Sequence, residues 1–205
     1  MRLQFDSHSF QKILAPFFVP LLLVTFAFSV VGQNSSERLE RGNKDAAVKI
    51  EVYYDLQCGS CAAFHTVLNR VEKKFGDSVL ITFRHFPLSI PAHDKAILAA
   101  RVLEAAQLQG KGWKMLDMIL DGQNQWSPNR NAKYVFLTYA KRLRLNIRRF
   151  RSDLESETVL HRIIDDMFLA KQLKINSTPT VFLNGEQLQY SDVLEIETKI
   201  KEIVK

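Results

Sequence analysis

The stretch that decides the fold runs from Val48 to Phe64 and reads VKIEVYYDLQCGSCAAF. In its first part, Val48–Tyr54, apolar residues alternate with charged ones, which is the period of a β-strand. Both cysteines of the protein follow, as Cys58 and Cys61. From Cys61 onward apolar residues recur every three or four positions as far as Phe75, which predicts an amphipathic helix. A strand therefore gives way to a helix at the two cysteines.

The pattern on the carboxyl side of this stretch is that of an α/β domain. Val79–Phe86 is a second predicted strand, so strand, helix and strand follow one another as in a parallel βαβ unit. Strand signals return at Thr180–Leu183, and Asn184-Gly185 is the dipeptide preferred in a type I′ hairpin turn leading into Glu186–Tyr190. Between the two groups of strands the predicted helices are Ala92–Gln109, Trp113–Leu120, Ala132–Leu143 and Glu157–Leu173. A last helix is predicted with an N-cap at Ser191 and apolar positions Val193, Ile196, Ile200 and Ile203.

Length and composition exclude several classes of protein. The chain has 205 residues, a formal net charge of +6, 46% hydrophobic residues and two cysteines. It is long enough for one domain with its own core, and its composition is not that of a disordered chain. Two cysteines three positions apart cannot cross-link a small disulfide-rich fold. The mild positive charge lacks aromatic interleaving, so we expect no nucleic-acid partner.

The amino-terminal region has the layout of a targeting segment. Ile13–Val31 holds 19 residues without a charge, and Arg2 and Lys12 precede it. We interpret residues 1–32 as a signal peptide, with a retained membrane anchor as the alternative, and residues 33–46 as a linker to a domain at 47–205. The sequence therefore predicts export across the cytoplasmic membrane of a bacterium, to the periplasm or another extracytoplasmic location.

The two cysteines carry the chemical signal. At a helix amino terminus Cys58 faces unpaired backbone N–H groups and the positive end of the helix dipole, which favour a thiolate. Cys61 lies one turn further along, where its sulfur can form a disulfide with Cys58. A metal site formed by Cys58, Cys61 and His65 is an alternative, although a closed zinc site needs a fourth ligand. Without a metal, His65 is read as a residue of the polar face or rim.

Three motifs in register make the chain similar to the DsbA family of thiol–disulfide oxidoreductases. They are Tyr54–Phe64 with its CxxC, Arg84–Leu88, and Asn176–Gly185 with Thr178-Pro179 before a strand. The resemblance implies a thioredoxin fold with an inserted all-helical subdomain. The thioredoxin core would comprise residues 47–89 and 174–205, and the helical insertion residues 90–173.

The same resemblance implies roles for individual residues. Cys58 would be the attacking and Cys61 the resolving sulfur of a redox-active disulfide, and Pro179 a cis-proline beside it. Thr178, Gly59 and Ser60 would contact the substrate, and neither a metal nor a cofactor is implied. Strong oxidants of the family carry Pro-His or a similar pair where this chain has Gly-Ser. We therefore expect a reduction potential between those of DsbA and thioredoxin.

The predicted function is that of an exported protein thiol:disulfide oxidoreductase. It would introduce disulfides into thiol-containing exported proteins and act as a monomer. The resemblance implies reoxidation by a quinone-linked oxidase in the membrane. The alternatives are a reductase or isomerase kept reduced by a membrane electron donor, a metal-binding or metallochaperone module, and a thioredoxin-fold module that binds without turnover.

Two weaker signals remain. Asp55, three residues before Cys58, is a candidate proton acceptor, and we read it as a surface carboxylate at the end of a strand. A basic run contains Lys141, Arg142, Arg144, Arg148, Arg149 and Arg151. We read this run as a solvated helix face, with contact to the anionic head groups of a membrane surface as the alternative.

Overall fold

The structure is a computed structural model that describes residues 38–189 and 195–205. Its strands are β1 (Glu40–Gly42), β2 (Val48–Tyr54), β3 (Val79–His85), β4 (Thr180–Leu183) and β5 (Glu186–Gln187). Its α-helices are α1 (Gly59–Phe75), α2 (Ala96–Gln107), α3 (Gly112–Asp121), α4 (Gln123–Trp126), α5 (Ala132–Arg142), α6 (Ile147–Leu154), α7 (Glu157–Gln172) and α8 (Ile196–Ile203). Two short 3₁₀ turns, Gly76–Ser78 and Pro91–His93, precede β3 and α2.

The strands form one mixed sheet in the order β1-β3-β2-β4-β5. β2 and β3 are parallel, with Val48 opposite Val79 and Tyr54 opposite His85, so the predicted βαβ unit is confirmed. β4 runs antiparallel to β2, and β5 returns beside β4. Asn184 and Gly185 both have positive φ, at 48° and 87°, as a type I′ turn requires.

The predicted amphipathic pattern accounts for the packing of α1. Its buried residues include the predicted apolar stripe of Cys61, Phe64, Leu68 and Val71. These side chains join the inward-facing residues of β2 and β3 in one hydrophobic core that also takes in residues of α2, α3 and α5. Helices α2 to α7 lie between β3 and β4 in the chain, which is where the all-helical insertion was predicted.

A network of charged side chains joins β3 to two insertion helices. Arg84 donates to Asp166 of α7 over 2.8 Å, and the His85 backbone N–H donates to the same carboxylate over 3.0 Å. The imidazole of His85 lies 2.9 Å from Glu104 of α2, and Arg162 of α7 donates to the other oxygen of Glu104 over 2.8 Å. Because Arg84, His85 and Glu104 are almost fully buried, each needs these partners.

Several predicted boundaries are corrected. The interval 33–46 is not linker throughout, because Glu40–Gly42 forms the edge strand β1, paired with β3. Three residues are too few to show a strand period, and β1 is held by its neighbours, since the Leu39 carbonyl accepts from the Phe83 N–H. Helix α4 was not predicted, and no limits were predicted for α6, although the basic run was read as a helix face. Ile203, placed on the core face of the last helix, is 42% exposed.

The amino-terminal prediction lies outside the described residues. It concerns residues 1–32 and the start of the linker, and the structure describes the chain from residue 38. The predicted cap Ser191 and the predicted core residue Val193 also lie outside the described ranges. Among the residues described, no helix combines the length and the apolar character needed to span a bilayer.

Candidate active site

The two cysteines lie where β2 ends and α1 begins. Cys58 is the N-cap residue, with extended backbone angles of φ −77° and ψ 123°, and its carbonyl accepts from the N–H groups of Cys61 and Ala62. Both thiols are free. Cys58 is half-buried whereas Cys61 is 0% exposed, so the two sulfurs occupy different environments. The position of the two cysteines at the start of the helix is the one that the sequence predicted.

The segment before β4 reaches the first cysteine from the far end of the chain. The bond between Thr178 and Pro179 is cis. The sulfur of Cys58 lies 3.5 Å from the carbonyl oxygen of Thr178, to which the thiol donates when it is protonated. Because these residues are 120 positions apart, their contact depends on the pairing of β4 with β2. The structure thus brings Cys58 together with the segment that contains Thr178 and Pro179.

The surroundings of Cys58 favour its thiolate. A hydrogen bond from the Cys61 side chain is the largest influence, and it lowers the pKa of Cys58 to about 5 against the opposing effect of burial. The side chain of Thr178 and the backbone N–H groups of Cys61 and Ser60 lower that pKa further. Cys58 is therefore largely ionised at neutral pH, in the state that acts as a nucleophile or leaving group.

Cys61 is held in the opposite state. Burial raises the pKa of the Cys61 thiol far above its ordinary value, and the hydrogen bond to Cys58 and the charge on Cys58 raise it further. Close by, Tyr54 is packed edge-on against Phe64 and Phe83, and burial also raises the pKa of its hydroxyl. The pair is thus polarised, with an accessible thiolate at Cys58 and a buried thiol at Cys61.

Asp55 is not the surface carboxylate that we predicted. Its side chain is fully buried and accepts hydrogen bonds from the backbone N–H groups of Gln57 and Leu88, at 2.7 and 2.8 Å. The Nδ1 atom of His93 lies 2.7 Å from the same carboxylate. Two of these partners, Leu88 and His93, come from the segment after β3, which a reading of the strand end alone could not include. Asp55 thereby fixes the turn before Cys58 against the loop that carries His93.

Replacing Asp55 by asparagine should destabilise this turn. An amide keeps one acceptor oxygen but turns an NH₂ group toward a partner that also donates, so a buried donor loses its acceptor. We expect the free energy of unfolding to fall by about 2–3 kcal/mol, measured by urea denaturation. Asp165→Asn changes an exposed carboxylate and should shift it by less than about 0.5 kcal/mol. Equal stability of the two variants would contradict the anchoring role.

Two glutamines that carried no sequence signal also hold the site. The side-chain amide of Gln57 donates to Ser127 and Asp94, and its oxygen accepts from the Lys95 N–H. Gln123 of α4 donates to the carbonyls of Leu56 and Cys58, at 2.9 and 3.1 Å. A lone glutamine 65 residues from the cysteines gives no pattern in the sequence. The helical insertion thus contacts the backbone of Cys58 directly.

The two residues between the cysteines leave the surface beside Cys58 open. Gly59 and Ser60 are both exposed. A Cβ atom added to Gly59 would approach only the side-chain oxygen of Gln123, at 4.0 Å, so packing does not require glycine here. Ser60 lowers the pKa of Cys58 through its backbone N–H.

The ligand set of the alternative metal site is not assembled. His65 is buried, contrary to the polar-face position we predicted, and its Nε2 atom lies 2.8 Å from Asp117 of α3. Within residues 38–189 and 195–205, no group of three or more His, Cys, Asp or Glu side chains is arranged to hold a metal ion. His65 acts instead in the packing of α1 against α3.

The sheet, the polarised cysteine pair and the Thr178-Pro179 segment define the class of thioredoxin-fold proteins with a CxxC motif. The family model Thioredoxin_4, described as thioredoxin, matches residues 34–202. The chain belongs to this thioredoxin family.

Solved structures confirm the fold together with its insertion. Oxidised BdbD from Bacillus subtilis superposes with a TM-score of 0.70 at 21% identity, over 81% of this chain and 92% of that one. The alpha-DsbA1 protein of Wolbachia pipientis gives a TM-score of 0.70 at 21% identity, over 82% of this chain and 91% of that one. The predicted thioredoxin fold with a DsbA-like helical insertion is therefore confirmed.

The relatives that are more similar in sequence are much longer proteins. The Na⁺/H⁺ antiporter NhaA 1 of Mycolicibacterium vanbaalenii is 38% identical over 149 residues. That alignment covers 71% of this chain and 23% of the antiporter. The chain thus spans about a quarter of the length of the curated relatives it matches.

Proposed function

We propose that the protein is a protein-disulfide oxidoreductase that introduces disulfides into other proteins. The observation that carries this proposal is the polarity of the cysteine pair, with the pKa of Cys58 lowered to about 5 and that of Cys61 raised. A pair in contact, with one accessible and one buried sulfur, can pass between dithiol and disulfide. The Thioredoxin family match and the DsbA-like fold support the same activity.

The reaction we propose has two exchange steps. A substrate thiolate attacks Sγ of Cys58 in the oxidised pair, the Cys58–Cys61 bond breaks, and Cys61 leaves and takes up a proton. The second substrate thiolate then attacks the substrate sulfur of the mixed disulfide. Cys58 leaves as a thiolate, the substrate gains a disulfide, and the enzyme has accepted two electrons. The low pKa of Cys58 makes it a good leaving group in this second step.

The direction of electron flow follows from which state of the pair is stabilised. Stabilising the Cys58 thiolate stabilises the reduced enzyme, which makes the disulfide more oxidising. A pKa of about 5 lies between the values of about 3.5 for DsbA and about 7 for thioredoxin. This favours an oxidase over a reductase or isomerase, with a weaker driving force than that of DsbA.

The substrates and partners belong to the same proposal. Extended thiol-containing segments would lie beside Cys58, against Gly59, Ser60 and the backbone of Thr178, with Pro179 next to the sulfurs. We propose that these substrates are exported proteins and that a quinone-linked membrane oxidase restores the disulfide. The uncharged run Ile13–Val31 supports a location outside the cytoplasm.

Oxidation of a dithiol peptide by the oxidised protein tests the activity, and the reduction potential tests its direction. We expect a potential of roughly −150 to −240 mV against glutathione. Ser60→His should raise it, because an imidazolium beside Cys58 adds to thiolate stabilisation, whereas the control Ser60→Ala keeps the backbone N–H and should change it little. A potential near the thioredoxin value of about −270 mV would favour a reductase instead.

A further inference from the structure

The positive charge of the chain is concentrated in the region of α5 and α6. Residues 131–155 contain seven Lys and Arg against two acidic residues, a net charge of +5 where the whole chain carries +6. The cations are Lys133, Lys141, Arg142, Arg144, Arg148, Arg149 and Arg151. Thiol–disulfide exchange at Cys58 makes no use of them.

Two of these cations occupy positions that local structure does not favour. Arg144, in the turn after α5, has φ 56°, a left-handed conformation that glycine adopts at lower cost. Arg148 lies in the first turn of α6, where the positive end of the helix dipole disfavours a cation. The stability of the fold therefore does not account for arginine at either position.

The charge of this region is only partly neutralised. Its two acidic residues pair with other cations, Asp153 with Arg149 at 3.4 Å and Glu155 with Lys133 at 3.3 Å. Over the described parts of the chain, no acidic side chain forms an ion pair with the exposed arginines Arg144, Arg148 and Arg151. These three guanidinium groups can therefore bind external anions.

An apolar cavity lies between α5 and α6, and one of these arginines, Arg151, lines it. It has a volume of about 330 Å³ and its lining includes Tyr134 and Leu137 of α5 and Phe150, Arg151 and Leu154 of α6. Tyr134 is 65% exposed, although aromatic rings are usually covered in a folded domain. An exposed tyrosine next to cations and an apolar recess is the combination that suits the boundary between lipid head groups and acyl chains.

We propose that this α5–α6 surface, comprising Tyr134, Arg144, Arg148 and Arg151, binds a bilayer that contains anionic lipids. The arginines would contact lipid phosphates, and Tyr134 would enter the head-group layer beside the cavity. Basic groups near a charged bilayer act additively, with roughly a fivefold gain in binding for each one. The surface would hold the domain at the membrane independently of its redox chemistry.

Co-sedimentation of the full chain with vesicles tests this proposal. Because Ile13–Val31 is apolar enough to bind any bilayer, the quantity measured is the ratio of affinities for phosphatidylcholine vesicles with and without 30% phosphatidylglycerol. We expect this ratio to fall by roughly 100-fold in the triple variant Arg144→Gln, Arg148→Gln, Arg151→Gln. Salt at 0.5 M should reduce the wild-type ratio strongly, through screening.

A matched variant separates the effect of this surface on vesicle binding from the effect of net charge alone. The control variant removes the same charge from three exposed positions elsewhere, through Lys73→Gln, Lys114→Gln and Lys171→Gln. This control should keep most of the wild-type ratio. An equal loss in both triple variants, or a wild-type ratio near one, would overturn the proposal. Oxidation of a soluble dithiol peptide should be unchanged in both variants, so failure here is distinguishable from failure of the proposed enzymatic function.

Discussion

In a Cys61→Ala protein, substrates should accumulate as mixed disulfides with Cys58, whereas Cys58→Ala should trap few. The accessible sulfur forms the adduct, and without Cys61 no internal thiol can attack Cys58 to reverse a stalled exchange. We expect turnover with a dithiol peptide to fall to background in both variants. Non-reducing electrophoresis with mass spectrometry measures the adducts. Adducts found mainly in Cys58→Ala would reverse the assigned polarity.

Alkylation of the reduced protein measures the same polarity without a substrate. With its pKa near 5, Cys58 is about 90% thiolate at pH 6, whereas buried Cys61 stays protonated. Iodoacetamide at pH 6 should therefore modify Cys58 at least roughly 100-fold faster, since only the thiolate is nucleophilic. Mass spectrometry of the two labelled positions decides the order, and labelling of Cys61 first would contradict it.

The stability of the reduced protein should depend on pH in a definite direction. The folded pKa of Cys58, about 5, lies below the ordinary thiol value of 9.0. Ionisation of Cys58 therefore stabilises the reduced folded protein fully above about pH 9, and this stabilisation is lost as the pH falls through about 5. The reduced form should thus lose stability relative to the disulfide form on acidification. The rate of Cys58 alkylation should fall over the lower part of the same range.

Replacing Pro179 by threonine should slow the release of mixed disulfides. Proline has no backbone N–H, so the chain next to the carbonyl that contacts Cys58 offers the sulfurs no donor. A threonine N–H could bind a sulfur or the substrate backbone in the mixed disulfide. A hydrogen bond of about 1.4 kcal/mol would slow release by about tenfold, measured as decay of a preformed mixed disulfide.

A companion variant separates this effect from general damage to the site. Thr180→Ser, at the first residue of β4, keeps both the backbone N–H and the hydroxyl that donates to the Ser177 carbonyl. It should leave release close to the wild-type rate. Equal rates in Pro179→Thr and the wild type would argue against a role for the proline in release.

Local patterns were enough to predict the part of the fold that carries the cysteines. The alternation over Val48–Tyr54 gave the limits of β2 correctly, because the strand buries Val48, Ile50 and Val52 and leaves Lys49 and Glu51 at least partly exposed. β1 was missed because three residues cannot show a period. The basic residues of α6 obscured its apolar positions, and Phe150 is its one fully buried side chain among those described.

The directions of the two cysteine pKa shifts were predictable from the sequence. The residues that hold the cysteine site in place were not. A helix amino terminus lowers the pKa of a thiol, and burial on the apolar stripe raises it. The surroundings of Asp55 and the role of Gln123 depend on contacts with residues 33 to 67 positions away. Such contacts arise from tertiary packing, and no local periodicity encodes them.

The charged network between β3, α2 and α7 bears on how the molecule could be divided. Residues 47–89 and 174–205 resemble a minimal redox protein into which the helices were inserted. Deleting the insertion would remove the partners of His85 and Arg84, which are Glu104 and Asp166, and would uncover core residues of β2 and β3 that pack against the inserted helices. The inserted helices are therefore not a detachable module. The two parts should melt in a single cooperative transition, and a miniaturised version would need polar residues where the sheet now packs against the inserted helices.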